Sequence, residues 1–512
     1  MKHGGWWFIA VSTSLFLFAR PALASELPVD WRTAVREYVT GAITKLGAPG
    51  AAVVIVDGDG VLFAEGFGVA ASEGDRVTAQ TPFHLASVSK AITALAVMQL
   101  VEAGQLDLTT PLGRSNLDLG WENLPASDIT VSNLLSHTSG WTEYDGLTNR
   151  VDPDLGTDAL AANAQRIAAT PLSHPIGEFE YSNANYDVLG YLIERASGSS
   201  YADYMRANVF RPLAMTHSFA TEAEATAGGV AEGHYPFFGV TTTQRLTFVP
   251  GSVPSAFLAS SASDLGNFLL AYVNKGRFDG GSVLSPQGIA TIERPIVHPS
   301  GAWDGYAMGW WVFPLWSAGQ LVPGSRGDTE YEVPVVLEHE GDHESFASSM
   351  LLIPDHELGI AVLLNINDES VPSRYHQIHF GIASILLGVA PQAFTSEDAV
   401  RRNAKVLSLL VVGLFLLRAW LSARKLRRVA ASAGLYRVTR HLLIPLVIDV
   451  LLIAAVWWFL SAESGAPLTL LRRSTPDIVM AAALATGVGV VWATIRSARI
   501  VRALGRSKAA PT

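Results

Sequence analysis

Phe83-His-Leu-Ala-Ser87-Val-Ser-Lys90 stands directly ahead of an apolar, helix-patterned run that continues to Glu102 and is closed by Gly104. Ser87 and Lys90 are three apart, so on a helix they share a face and meet. A serine hydroxyl is a weak nucleophile until a base takes its proton. A lysine serves as that base only where burial and nearby dipoles lower its pKa. The start of a helix also offers a free backbone N–H to a developing oxyanion. Alone, S-x-x-K is a weak signal, because serines cap helices and lysines coat them.

Outward from this stretch, residues 25–390 read as one α/β (α+β) domain. Trp31–Leu46 has helical periodicity, and Asp57-Gly-Asp-Gly60 separates two apolar runs, Ala51–Val56 and Val61–Ala64, as a hairpin turn does. Val131–Leu135, Asn185–Arg195 and Ala262–Val273 fit helices. Val335–His339, Ser345–Ile353 and Gly359–Leu364 are three strand candidates in close succession. Strands at both ends with helices between predict one antiparallel sheet, flanked by helices and a helical subdomain.

Two more stretches stand in this frame. Tyr181-Ser-Asn183 follows Pro175-Ile-Gly177 and precedes Tyr186-Asp-Val-Leu-Gly190, and His339-Glu-Gly341 lies between two of the strands. With Ser87-Val-Ser-Lys90, in this order, they resemble the three motifs of the serine β-lactamase and penicillin-binding-protein superfamily, in its class C-like branch. The resemblance covers about residues 35–370 and implies a β-lactamase/transpeptidase-like fold. It also implies that Ser87 is acylated, that Lys90 is the acylation base, and that Tyr181 relays protons and helps activate the deacylating water. Asn183 would bind the amide side of a substrate. The backbone N–H groups of Ser87 and Asp342 would form the oxyanion hole, and Gly341 would let substrate lie against its strand. His339 occupies the position where many penicillin-recognising members carry a lysine that attracts a carboxylate. A histidine there points toward the esterases and peptidases of the branch. An unperturbed imidazole titrates near pH 6.5, so His339 is expected to charge as the pH falls and otherwise to act as a hydrogen-bond donor.

The ends of the chain read differently. Residues 1–24 carry Lys2 and His3, an apolar run and Ala22-Leu-Ala24, as a cleaved signal peptide does. Of 36 Lys and Arg, 17 lie from Ser396 onward, against only 5 of 46 Asp and Glu, so the preceding part is acidic and an unsuitable nucleic-acid binder. After a linker at 391–404, three apolar runs, 405–423, 441–460 and 477–495, each have about the length of a membrane span. Mean hydropathy is accordingly positive, +0.27. Basic residues cluster after the first run and in the tail 496–512, which places those segments in the cytoplasm and the catalytic domain on the periplasmic or extracellular side of the inner membrane. Asp449, inside the second run, has Arg418 as its expected partner. The chain has no cysteine, which excludes disulfides and thiolate catalysis.

His339-Glu-Gly-Asp-His343 also matches H-E-x-x-H, the zinc-protease pattern, which works only on a helix. Val335-Val-Leu ahead of it and Gly341 within it favour a strand. No metal and no cofactor is assigned on this basis. His137-Thr-Ser-Gly140 reads as a loop ending a helix. His84, three before the nucleophile, lines the pocket or packs, and Trp303, Trp310, Trp311 and Trp316 read as a packed wall with one ring at the cleft.

Signal peptide, hydrolase domain and three spans together resemble the membrane-anchored periplasmic peptidases that mature natural-product prodrugs, such as the colibactin-activating peptidase. Those have an acidic residue where this chain has His84. The expected activity is hydrolysis of a D-amino-acid-containing amide in a small-molecule or peptide substrate. The alternatives are a carboxylesterase, β-lactamase or D,D-carboxypeptidase of the envelope, or a non-catalytic ligand sensor, against which the joint presence of Ser87, Lys90 and Tyr181 argues.

Overall fold

The computed structural model describes residues 27–392, apart from 72–73, 152–155, 157, 300–303, 316–333 and 369–371, and then 408–422, 424, 444–464, 472–473 and 475–508. The expected signal peptide, most of the linker, the basic loop after the first apolar run, Trp303 and Trp316 lie outside the described residues.

The frame is a seven-stranded antiparallel sheet made from both ends of the domain. Helix α1 (Trp31–Leu46) leads into the hairpin β1 (Gly50–Asp57) and β2 (Gly60–Gly68). Its turn is closed by the Asp57 carboxylate, which accepts from the backbone of Asp59 and Gly60, each at 3.0 Å. The rest of the sheet comes late: β3 (Gly305–Tyr306), β4 (Trp311–Pro314), β5 (Val335–His343), β6 (Phe346–Ile353) and β7 (Leu358–Leu364). The strand order is β2-β1-β7-β6-β5-β4-β3, so β1 inserts beside β7 and ties the two ends of the domain together.

Both faces of the sheet are covered. Ala52, Val54 and Val56 of β1 join the core under the helical part, while Ala51, Val53 and Ile55 join the one under α1. The helical part includes α2 (Ser89–Glu102), α3 (Asn183–Ser197) and α4 (Ala262–Val273), and α5 (Pro372–Leu386) packs beside α1 on the other face. The expected helix from Ser87 begins two residues later. Ala86–Val88 form a 3-10 turn, entered through Ala86 at φ +46°, and α2 starts at Ser89. A left-handed alanine is strained, and here the strain aims the following serine.

In the C-terminal part, one helix among the described residues is long and apolar enough to cross a membrane, Pro476–Ala498 within α7 (Pro476–Lys508). Ser408–Ser422 is a shorter apolar helix, and α6 (Ile444–Ser464) carries exposed Val447, Ile448, Val450 and Leu451. Of the three expected spans, the third is met by a helix that fulfils the requirement, while the first two, 405–423 and 441–460, lie partly outside the described residues. Asp449 does pair with Arg418, at 2.7 Å, and Arg496 adds a second cation at 3.5 Å. The hairpin of His234–Phe237 and Val240–Thr243 meets the start of α7, where Asp477 accepts from Tyr235 Oη at 2.8 Å and from the Phe238 N–H at 3.1 Å.

Candidate active site

Ser87 sits half-buried on its 3-10 turn, and Lys90, one turn on, is fully buried. Lys90 Nζ donates to Ser87 Oγ at 2.9 Å, to Asn183 Oδ1 at 2.7 Å and to the Ser255 carbonyl at 2.8 Å. Three acceptors use the three N–H groups of an ammonium and fix its nitrogen next to the hydroxyl; after loss of one proton, the amine has a lone pair there to take the hydroxyl proton. The Tyr181 ring lies 4.9 Å from the same nitrogen. Asn183 opens α3, whose cap, Ser182, accepts from the Ala184 N–H at 3.3 Å. The Asn183 side chain is thus engaged on Lys90.

Ser255 belongs to a π-helical segment, Val253–Phe257, which the sequence reading passed over. Thr93 of α2 holds the preceding carbonyl, Pro254 O, at 2.8 Å. Ser252 Oγ donates to Asp187 Oδ2 at 2.9 Å, so this loop is tied to α2 and α3 at once.

His137 is the second residue the sequence undervalued. It is buried at φ +56°, with its ring 4.3 Å from that of Tyr181. Its Nδ1 accepts from the Ser182 N–H at 3.1 Å, which leaves the proton on Nε2, 3.2 Å from Tyr306 Oη. Burial, then Lys90 and His339, hold its pKa well below the ordinary imidazole value, so it is a neutral support beneath Tyr181. Phe179, Tyr306 and Trp311 extend this aromatic wall, with Trp311 half-exposed and 5.0 Å from Tyr306. Trp310 points away into the core and is fully buried.

β4 pairs with β5 only from Val335 to Glu338, so residues 339–343 run on past it toward the nucleophile. Gly341 is required there for a reason the sequence did not reveal. A Cβ on it would collide with the Leu85 carbonyl and Ser348 Oγ and come 3.1 Å from the Ser87 nitrogen. Packing of the strand on the turn that carries Ser87 by itself excludes a side chain here. Asp342 is half-buried, with its carboxylate on Asn367 and His376.

His339 departs from expectation. Burial, then the Lys90 charge, lowers its pKa to about 3. Its Nδ1 donates to the Glu340 carbonyl at 2.6 Å, so Nε2, 3.4 Å from Tyr306 Oη, is an acceptor. It neither charges at working pH nor offers a donor. For a substrate with a free carboxylate, kcat/KM relative to an uncharged analogue should therefore stay flat from pH 8 to 5.5. A folded-state pKa that low keeps the neutral form throughout that window. His339→Lys should raise the ratio about tenfold or more, the size of one charge-assisted hydrogen bond. A wild-type ratio that climbs below pH 6.5 would contradict this.

His84 is 8 % exposed, packed against Phe346 and Phe248 at ring distances of 5.2 and 6.4 Å, and burial lowers its pKa to about 4. His339 and His343 of the H-E-x-x-H match point to one face of β5 and Glu340 to the other. Residues four apart on a strand are separated by about 13 Å, too far to share an ion.

A serine on a 3-10 turn beside a buried lysine, packed on a strand that outruns its neighbour, has the geometry that serine acyl transfer requires. The beta-lactamase family profile matches residues 32–381, and the chain belongs to that family of serine hydrolases. It is 26 % identical over 371 residues to protein flp of Staphylococcus aureus (strain N315), across 70 % of this chain and 68 % of that one. It is 31 % identical over 301 residues to penicillin-binding protein 4 of Amycolatopsis lactamdurans, across 56 % of this chain and 75 % of that one. The structure of the octameric penicillin-binding protein homologue from Pyrococcus abyssi superposes with a TM-score of 0.59 at 26 % identity, covering 71 % of this chain and 79 % of that one.

Proposed function

We propose that the chain is an extracytoplasmic, membrane-anchored serine peptidase or amidase that works through an acyl-enzyme on Ser87 and cleaves a D-amino-acid-containing amide. The contact of a buried Lys90 amine with Ser87 Oγ carries this reading. Lys90 takes the hydroxyl proton as Ser87 attacks, and the N–H groups of Ser87 and Asp342 receive the oxyanion. Tyr181, held on His137, passes protons to the leaving amine and from the deacylating water, while Asn183, His339, Gly341 and His84 shape the substrate side. The neutral His339, where a lysine would attract the carboxylate of a penicillin, favours amide over β-lactam turnover. Likeness to penicillin-binding protein 4 favours a second reading, a D,D-carboxypeptidase of the envelope.

In the same reading residues 1–24 are removed on export, 25–390 form the catalytic domain and 391–404 the linker. Residues 405–423, 441–460 and 477–495 cross the inner membrane, leaving 496–512 in the cytoplasm. The exposed apolar residues of Ser408–Ser422 and α6 support a lipid environment for them. Alkaline phosphatase fused after residue 395 should then be active and the same reporter at the C-terminus inactive; the reverse would sink this topology.

The activity is tested with the full chain in detergent, against N-acyl-D-amino-acid amides, their L epimers, short acyl esters, D-alanyl-D-alanine peptides and penicillins. The D-amides should give the highest kcat/KM, by about tenfold or more. Faster turnover of the D-alanyl-D-alanine peptides would select the second reading, and of penicillins would refute the first.

A further inference from the structure

Alternation along β5 sends Leu337, His339, Gly341 and His343 toward the nucleophile, and Val336, Glu338, Glu340 and Asp342 toward α5. α5 meets this second set with His376 and His379, three apart and so on one side of the helix. A carboxylate oxygen of Glu338, one of Glu340 and a ring nitrogen of His379 lie within 4.8 Å of one another. Beside them His376 Nε2 is 3.0 Å from Asp342 Oδ2 and 3.9 Å from Glu340 Oε2, and Asn367 Nδ2 donates to Asp342 Oδ1 at 2.9 Å.

The flanking pair is satisfied and the triangle is not. Glu338 is 4 % exposed and His379 fully buried, yet Glu338 Oε1 and both ring nitrogens of His379 have no hydrogen-bond partner. The nearest approach between them is 3.8 Å. Buried polar atoms are nearly always paired, and an imidazole orphaned at both nitrogens is a large departure. Two carboxylates this close together in a buried place repel one another. A proton shared by the two glutamates would relieve their repulsion and leave His379 exactly as orphaned as before. A cation between the three relieves all of it.

We propose that this face of β5 binds one divalent transition-metal ion, zinc in the first instance, on Glu338, Glu340 and His379. Two carboxylates and an imidazole are a donor set for zinc or manganese, whereas calcium and magnesium favour oxygen alone. In a tetrahedral zinc site the ligand atoms stand about 3.4 Å apart, so the triangle closes by small side-chain rotations. Glu340, with 36 % of its side chain exposed, opens the site to solvent and leaves room for a water as fourth ligand. His376 and Asp342 border it and orient that water. The ion joins β5 to α5 and so stiffens the strand whose other face adjoins Ser87. The ligands come from alternate positions of a strand and from a helix some forty residues on, which no contiguous motif displays.

The test uses the untagged full chain in detergent, stripped with a chelator, reloaded with zinc or manganese and dialysed. Metal content is measured by mass spectrometry and affinity by competition with a chromophoric chelator. The wild type should retain one equivalent of zinc, with a raised Tm. Glu338→Gln, Glu340→Gln and His379→Gln should each weaken binding about tenfold or more. Glu340→Gln changes a partly exposed side chain and keeps the fold, so it decides the matter if the two buried variants do not. A cobalt-loaded wild type should show the visible absorption of a low-coordinate site, and Glu340→Gln should lose it. Retention of manganese in place of zinc on the same three residues supports the site with the other ion. Well under one equivalent of either metal, or one equivalent held as tightly by Glu340→Gln, overturns the proposal. None of these readouts depends on the substrate.

Discussion

Lys90→Ala is expected to lower kcat/KM by about 10²–10⁴-fold, the range of a general base removed from a positioned proton transfer. The amine is fully buried and donates to Ser87 Oγ, Asn183 Oδ1 and the Ser255 carbonyl, so the substitution removes the nitrogen held against the hydroxyl. Lys90→Arg should not rescue activity, because a guanidinium stays charged and its planar fork does not fit a site built around one nitrogen. Stability should move much less than activity. Two buried acceptors lose their donor, at about 1–3 kcal/mol each, offset in part because a buried ammonium no longer has to be kept from water. Kinetics at 25 °C beside a thermal melt separate the two effects. A folded Lys90→Ala enzyme that kept a tenth of its activity would place the base elsewhere.

Gly341→Ala is expected to cost about 1–3 kcal/mol of stability and roughly 10²-fold in kcat. The added methyl would strike the Leu85 carbonyl and Ser348 Oγ, with the Ser87 nitrogen 3.1 Å away. Ser348 itself donates to the Leu85 carbonyl. Rotating or trimming Ser348 frees only one of the two obstacles, so the double variant Gly341→Ala/Ser348→Gly should stay impaired. Relief requires β5 to move off the nucleophile turn, which separates Asp342 from Ser87. Wild-type kcat in Gly341→Ala would mean that the strand and turn do not need this contact.

Strong local patterns were legible in the sequence. Trp31–Leu46, Val131–Leu135 and Ala262–Val273 are helices with the expected bounds, and the early hairpin and the three late strands share one antiparallel sheet. Ser87, Lys90 and Asn183 were identified from spacing and resemblance, and the structure brings them together. What stayed hidden depends on tertiary packing. The Ser255 carbonyl is a backbone group on an irregular segment, for which no residue type speaks. His137 looked like a loop residue because its partners, Ser182 and Tyr306, lie 45 and 169 residues away. The state of His339 follows from burial and from the Lys90 charge, neither of which a motif carries, so an expected titrating donor is a neutral acceptor. The tail shows the converse limit. Apolar length suggested three spans; Pro476–Ala498 reaches the needed length and composition, and the runs 405–423 and 441–460 lie partly outside the described residues.

The central claim, that Ser87 is the acylated nucleophile, is tested most directly by labelling the full chain with a fluorophosphonate and mapping the adduct by peptide mass spectrometry. One adduct per chain is expected, on Ser87, lost in Ser87→Ala and slowed about a hundredfold or more in Lys90→Ala. An adduct on Ser89, Ser136 or Ser139, with Ser87 unmodified, would contradict it.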